Sequence, residues 1–171
     1  MKPITRFRGE FRWLSNFYPA TIEVEVNGSR VVAKSVEHAY QASKTGVVAR
    51  EKQILRADTA SEAARLGRDK RKTVLHHDWY DIKGDVMRPL VFAKFEQHPE
   101  LMAKLLATGD RYLMEGNYWH DNYFGVCCCK RCHDSGEQGS NLLGRILMEI
   151  REKHQPVLKG ELSGFDEEDL L

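Results

Sequence analysis

The sequence predicts an α+β fold: a compact, mainly helical single domain with a small antiparallel sheet near the N-terminus. Three observations lead there. The chain has 171 residues of which 42% are apolar, enough for one well-cored domain and too few for two comfortable ones. A strand–turn–strand pattern is centred on Asn27-Gly28, a pair that tolerates positive φ and suits a tight hairpin. From Ser35 onward the apolar spacing shifts from alternation to a helical period.

In chain order, "TIEVEVNGSRVVAK" alternates Ile22, Val24 and Val26 against Glu23 and Glu25 before the turn, as a half-buried strand does. Ser35 is a suitable N-cap for a helix over 36–45 that stops near Gly46. Thr59 and Glu62 stand at capping-box spacing at the head of "ASEAARLG", with Gly67 as its C-terminal glycine. Asp78 can cap a longer helix carrying Trp79, Ile82, Val86 and Leu90, in which Pro89 is expected to cause a kink or break. Pro99 opens "PELMAKLLATG", and "NLLGRILMEIREKH" places Leu142, Leu143, Ile146, Leu147 and Ile150 on one stripe. About five helices and one small sheet result. The folded domain is placed at 1–154; residues 155–171, ending in "GELSGFDEEDLL" with its five acidic residues, form an acidic tail expected to be disordered.

Charge and cysteine usage narrow the function classes. Lys plus Arg number 26 against 25 Asp plus Glu, so no global field draws the chain to nucleic acid, and any polyanion contact must be local. No stretch approaches the roughly 18–20 apolar residues of a membrane span, and "MKPITRFRGE" lacks the apolar run of a secretory signal; a cytoplasmic location without a membrane partner is expected. Cys127, Cys128, Cys129 and Cys132 lie too close together to staple a fold by disulfides. With His133 they show part of the spacing of a tetrahedral zinc site, but no second distant pair completes it. The expectation is no metal, and reduced, partly buried thiols.

The helix "SVEHAYQASK" holds the densest chemistry. Glu37, Tyr40, Gln41 and Lys44 fall at i, i+3, i+4 and i+7, so a carboxylate and an amine share one face. Spacing alone favours a solvated face, where such pairs contribute only about 0.2–0.5 kcal/mol. The segment has company, however. "LSNFYP", "VEHAYQASK", "RLGRDK", "WYDIKGDVMRPLVFAKFEQHPEL", "YLMEG", "HDNYFG" and "NLLGRILMEIR" follow one another in an order and spacing that resemble the NADAR family, over about Phe7 to Arg151.

The resemblance implies a mainly helical α+β fold with a cleft for an ADP-ribose-like or ribosyl-phosphate ligand, and cofactor-free N-glycosidase activity. Two substrate classes are known for the family. One is ADP-ribose attached to guanine in nucleic acid, where members reverse DNA ADP-ribosyltransferase toxins; the other is early intermediates of riboflavin synthesis. The favoured expectation is a hydrolase cleaving the ribosyl C–N bond of ADP-ribosylated guanine in DNA or nucleotides, single-stranded or with an exposed base, and releasing ADP-ribose. The longer, divergent loop from Tyr118 to Gly139 distinguishes this chain from the riboflavin-type pattern. A non-catalytic ADP-ribose or NAD-binding module and a small zinc-containing nucleic-acid-binding domain are the remaining alternatives.

Glycosidic C–N cleavage builds positive charge on the anomeric carbon and ring oxygen, so a fixed carboxylate nearby acts most strongly in the transition state. Glu37 is that candidate, or it serves as general acid or base. Lys44 is either an amine nucleophile passing through an opened-ring Schiff base or a phosphate binder. By family match, Trp79 either stacks a ring or packs in the core, Phe17 lines the pocket, Asn16 and Gln41 offer amides, and Arg68 offers a fork for pyrophosphate. Asp121 and Glu115 match further family acids, either at the site or as structural helpers, Phe124 is a candidate substrate-binding residue, and Asn141, at the expected N-cap of the last helix, either offers free N–H groups to an anion or merely caps. The family usually has Trp-Gly-Asp where this chain reads Phe124-Gly125-Val126. The missing aspartate shifts the chemical burden toward Glu37 and Lys44.

Overall fold

Asn27 and Gly28 both adopt positive φ, and the turn they make joins β1 (Ile22–Val26) to β2 (Ser29–Ala33) as an antiparallel hairpin in which Ile22 faces Ala33 and Val26 faces Ser29. The structure, a computed structural model, describes residues 1–136 and 139–155; the acidic tail expected beyond 155 lies outside the described residues. Ahead of the hairpin, a 3-10 turn over Gly9–Leu14 buries Trp13 and Leu14.

Among the described residues seven α-helices follow. Ser35 caps α1 (Val36–Ala42) by accepting from the His38 N–H, and the helix is shorter than the 36–45 its sequence suggests. α2 (Val48–Arg56) is an element that sequence periodicity missed, because Ile54 is its one buried apolar residue. Polar burial secures it instead. Arg50, 5% exposed, donates to Thr73 Oγ1, Gln53 Oε1 and the Leu66 carbonyl, and sits 3.6 Å from Asp69. That network ties α2 to α3 (Ala60–Arg68) and to the loop beyond it.

Gly67 is the penultimate residue of α3, in its last turn, one residue before the helix ends at Arg68. A Cβ there would stand 2.0 Å from Gln41 Oε1, so the glycine is required by the close approach of α1, not by backbone conformation. The long helix α4 (Trp79–Gln97) runs through Pro89 without the interruption that is one of the two outcomes expected there. Met87, Leu90 and Val91 on either side of the proline are buried in the core, and that packing holds the helix across the one missing N–H. α5 (Pro99–Leu106), the short α6 (Lys130–Asp134) and α7 (Leu142–His154) complete the set.

One apolar core unites these elements, with Leu14, Ile22, Val36, Ile54, Phe95, Leu105, Leu113, Ile146, Leu147 and Ile150 among its fully buried members. A second, parallel pair joins β3 (Gly116–Asn117) to β4 (Val126–Cys127), beyond the single sheet expected. The N-terminal segment lies alongside, bridging Ile4 to Leu113. Among the described residues no helix is long and apolar enough to cross a membrane.

Candidate active site

All seven residues of α1 are buried, which removes the solvated-face reading of this helix. Burial of Glu37 (5% exposed) and Gln41 (2% exposed) would be unfavourable without partners, and they find one in each other: Gln41 Nε2 donates to Glu37 Oε1 at 2.7 Å. The Glu37 N–H donates to the Asn16 carbonyl, which fixes the "SNF" segment at the head of the helix. Lys94, fully buried on α4, donates to the carbonyls of Trp13 and Ser15 and holds that segment from below.

These contacts build a cleft of about 200 Å³ lined by Asn16, Phe17, Glu37, Tyr40, Gln41, Lys44, Arg68, Met87, Glu115, Trp119, Asp121 and Phe124. Eight of the expected site residues therefore meet in one place: Asn16, Phe17, Glu37, Gln41, Lys44, Arg68, Asp121 and Phe124. An adjoining hollow of about 280 Å³ shares Phe17, Glu115 and Trp119 and adds Arg8 and Arg12. Phe17, Tyr118, Trp119 and Tyr123 are exposed aromatic residues near the opening.

Two expected residues stand elsewhere. Trp79 is 3% exposed and packs beneath Tyr40, ring centroids 5.2 Å apart, so it supports the cleft wall and presents no ring face to a ligand. Asn141 adopts a left-handed conformation without a capping side-chain bond. Its amide turns inward, accepting from the Glu115 N–H and donating to the Leu113 carbonyl and Tyr112 hydroxyl, which leaves it no role toward an anion. It positions Glu115 instead. Val126 does not line the cleft; its N–H bonds the Glu115 carbonyl.

Electrostatics follow from this burial. Desolvation raises the Glu37 pKa above the usual carboxylate range, although Gln41, Lys44 and Arg68 oppose it. Burial, reinforced by the charges of Asp121 and Glu37, pushes Glu115 up to about 7. Burial lowers Lys44 to about 8 against the pull of Glu37. Among the described residues Lys44 makes no salt bridge; its amine lies 5.2 Å from the Tyr40 ring centroid and 5.9 Å from that of Trp79. Asp121 is fixed by its own turn, Oδ1 accepting from the N–H groups of Tyr123 and Phe124. The cleft thus offers a desolvated amine, two carboxyls that retain protons more readily than usual, and a rim of arginines and aromatic rings.

Two buried polar atoms at the site lack a hydrogen-bond partner among the described residues. Asn16 Oδ1 is buried with no hydrogen bond, as is Gln41 Oε1 against Gly67. A buried acceptor left open at a cleft wall invites a ligand hydroxyl. The sequence set Tyr40 beside Glu37 and Lys44 without a site role, and Met87, Trp119, Arg8 and Arg12 were not singled out as lining residues. The interleaving of basic and aromatic residues in "RFRGEFRW" was the available signal for the two arginines.

Comparison with known proteins places the chain among relatives. The NADAR domain family matches residues 6–155. The chain is 42% identical over 144 residues to riboflavin biosynthesis protein VVA0006 of Vibrio vulnificus, covering 84% of this chain but spanning only 35% of that protein. It is 40% identical over 121 residues to N-glycosidase YbiA of Escherichia coli, covering 68% of each. With N-glycosidase Npun_R5314 of Nostoc punctiforme it shares 34% identity over 148 residues, 84% of this chain and 86% of that one. The solution structure of E. coli YbiA superposes with a TM-score of 0.72 at 35% identity, covering 90% of this chain and 86% of the other. By sequence and by fold alike, the chain belongs to the NADAR family.

Proposed function

We propose that this protein is an N-glycosidase that hydrolyses the ribosyl C–N bond of ADP-ribosylated guanine and releases ADP-ribose. The class, a hydrolase of the N-glycosidase kind, is supported by the two relatives named N-glycosidase, which the chain matches over most of their length. The observation that carries the chemistry is the meeting of Lys44, a desolvated amine without an ion-pair partner among the described residues, with the protonatable carboxyls of Glu37 and Glu115 in one cleft.

In this reading Glu37 gives its proton to the departing base nitrogen as the C1′–N bond breaks, and the carboxylate left behind faces the positive charge on C1′ and the ring oxygen. Neutral Lys44 bonds to C1′. The sugar ring then opens to a Schiff base as its oxygen takes a proton, and water adds to the imine to free the sugar and restore the amine. Asn16 Oδ1 accepts from a ribose hydroxyl, Arg8, Arg12 and Arg68 face the pyrophosphate, and the exposed rings of Phe17 and Trp119 stack the base. The exposed aromatic rim favours a base presented outside a duplex stack, hence single-stranded nucleic acid or a free nucleotide.

A second reading has its own support in the 42% identity to a riboflavin biosynthesis protein: the same cleft would then cleave the ribosyl C–N bond of an early intermediate of that synthesis. Parallel incubation with guanine-ADP-ribosylated oligonucleotide and with the riboflavin intermediates, reading released sugar product, separates the two. Release from the oligonucleotide alone is the expected result; turnover of the intermediates alone would replace the first reading by the second. Borohydride added during turnover should trap a protein–sugar adduct on Lys44, and an active enzyme that yields no adduct would leave Lys44 as a phosphate-binding cation.

A further inference from the structure

The cysteine loop beside the cleft has a geometry that the sequence concealed. His120, Cys127, Cys129 and Cys132 bring their ligand atoms within 4.8 Å of one another. His120 Nδ1 stands 3.2 Å from Cys132 Sγ, 3.5 Å from Cys129 Sγ and 3.9 Å from Cys127 Sγ. In a tetrahedral zinc site with Zn–S near 2.3 Å and Zn–N near 2.05 Å, the N···S separation is about 3.6 Å, which the three distances straddle. All four cysteines are free thiols, so no disulfide accounts for their convergence.

We propose that His120, Cys127, Cys129 and Cys132 form a structural zinc site. Three thiolates and one imidazole are a donor set that selects Zn²⁺ among common divalent ions, and four protein ligands close the coordination sphere, leaving no position for a substrate or catalytic water. The ligands come from three pieces of backbone: the loop after β3, strand β4, and the start of α6, where Cys129 is the N-cap and Cys132 the third helical residue. His120 holds a positive φ of 64°, a conformation that a non-glycine residue keeps only when its surroundings impose it.

The sequence directed attention to His133 as the fourth ligand. In the structure its side chain is 87% exposed and faces Asp134. His120, seven residues before Cys127, supplies the distant ligand that local spacing could not show. Cys128 also stands apart, exposed and directed to the Val126 carbonyl.

The site answers a structural need. Of residues 118–136 only Gly125, Cys127 and Cys132 are buried, so little apolar area holds this segment, and a metal can substitute for a core. The same segment carries Trp119, Asp121 and Phe124 into the cleft, with Asn117 bonding the backbone of Trp119 and Asp121 at its base. A zinc here would fix one wall of the cleft without taking part in bond cleavage. The inference stands independently of the proposed reaction, because metal content is read without substrate.

The test is elemental analysis of the full chain purified under reducing conditions without chelator, or reloaded with Zn²⁺ after chelation. About one zinc per chain is expected for the wild type, for Cys128→Ser and for His133→Ala, falling below about a tenth for Cys129→Ser and His120→Ala. Replacement by Co²⁺ should give the intense visible absorption of a tetrahedral thiolate complex, a readout that needs no variant to fold. Wild type that neither retains nor takes up zinc overturns the proposal. Retention by His120→Ala with loss in His133→Ala overturns the ligand set.

Discussion

Glu37 illustrates how much a single residue's meaning depends on burial. Its side chain lines one cleft with Lys44, which lies just past the end of α1, and it is enclosed and bonded to Gln41. Glu37→Gln keeps the shape and an acceptor for Gln41 while removing the charge and proton; kcat is expected to fall by about 10²–10³, with a thermal midpoint at or above that of the wild type because the buried carboxyl is desolvated. Steady-state kinetics beside a melting curve check both halves. Lys44 makes a pH prediction with a definite sign. Its pKa of about 8 means that the neutral amine gains population as pH rises toward that value, so a nucleophilic Lys44 makes kcat/KM climb between about pH 7 and 8. A cation that holds phosphate would make it decline over the same interval.

At the scale of elements, the contact of α1 with α3 turns on Gly67. Gly67→Ala places a methyl group against the Gln41 amide; the expected cost is about 1–3 kcal/mol of stability, with at least a tenfold loss of kcat because Gln41 no longer holds Glu37. Denaturant melts and kinetics on one preparation test the pair, and a variant of normal stability and activity would refute the close-approach account. Asn141, at the head of α7, joins that helix to the segment 112–115 through three side-chain hydrogen bonds. Asn141→Ala should destabilise by about 1–3 kcal/mol by leaving buried groups unpaired, and should lower kcat through a misplaced Glu115. Much of this level was legible beforehand: the Asn27-Gly28 turn and the Ser35 and Thr59 caps depend on neighbours within four residues. Helix α2 and the unbroken course of α4 were not, since Arg50 reaches Thr73 and Leu66 and Pro89 is held by core contacts from other elements.

For the whole molecule, the buried titratable groups shape stability against pH in two opposing limbs. Glu115 is raised from 4.5 to about 7, so the folded state binds more protons than the unfolded one between those values, and its contribution is lost as pH rises through 7. Lys94 is lowered from 10.5 to about 7. Its unfolded form therefore binds more protons between 7 and 10.5, and stability rises with pH across that window. Together they place a shallow minimum near neutrality. Melting temperatures from pH 5 to 9.5 should show it, Glu115→Gln should flatten the acid limb and Lys94→Met the alkaline one; a single maximum near pH 7 in the wild type would contradict the assignment.

By itself the sequence determined the helix-rich α+β class, the hairpin, the caps and the family, because these rest on local periodicity, on turn chemistry within a few residues and on motif order. It also placed Glu37 on one face of α1, with Lys44 close by, just beyond the helix end at Ala42. Only the tertiary structure decided that this face is buried, that Asn16, Arg68, Asp121 and Phe124 converge on it, and that Trp79 and Asn141 stand behind it. It likewise decided that His120 rather than His133 meets the thiols. Those outcomes depend on which surfaces exclude water and on contacts between distant residues, neither of which a periodicity along one strand or helix encodes.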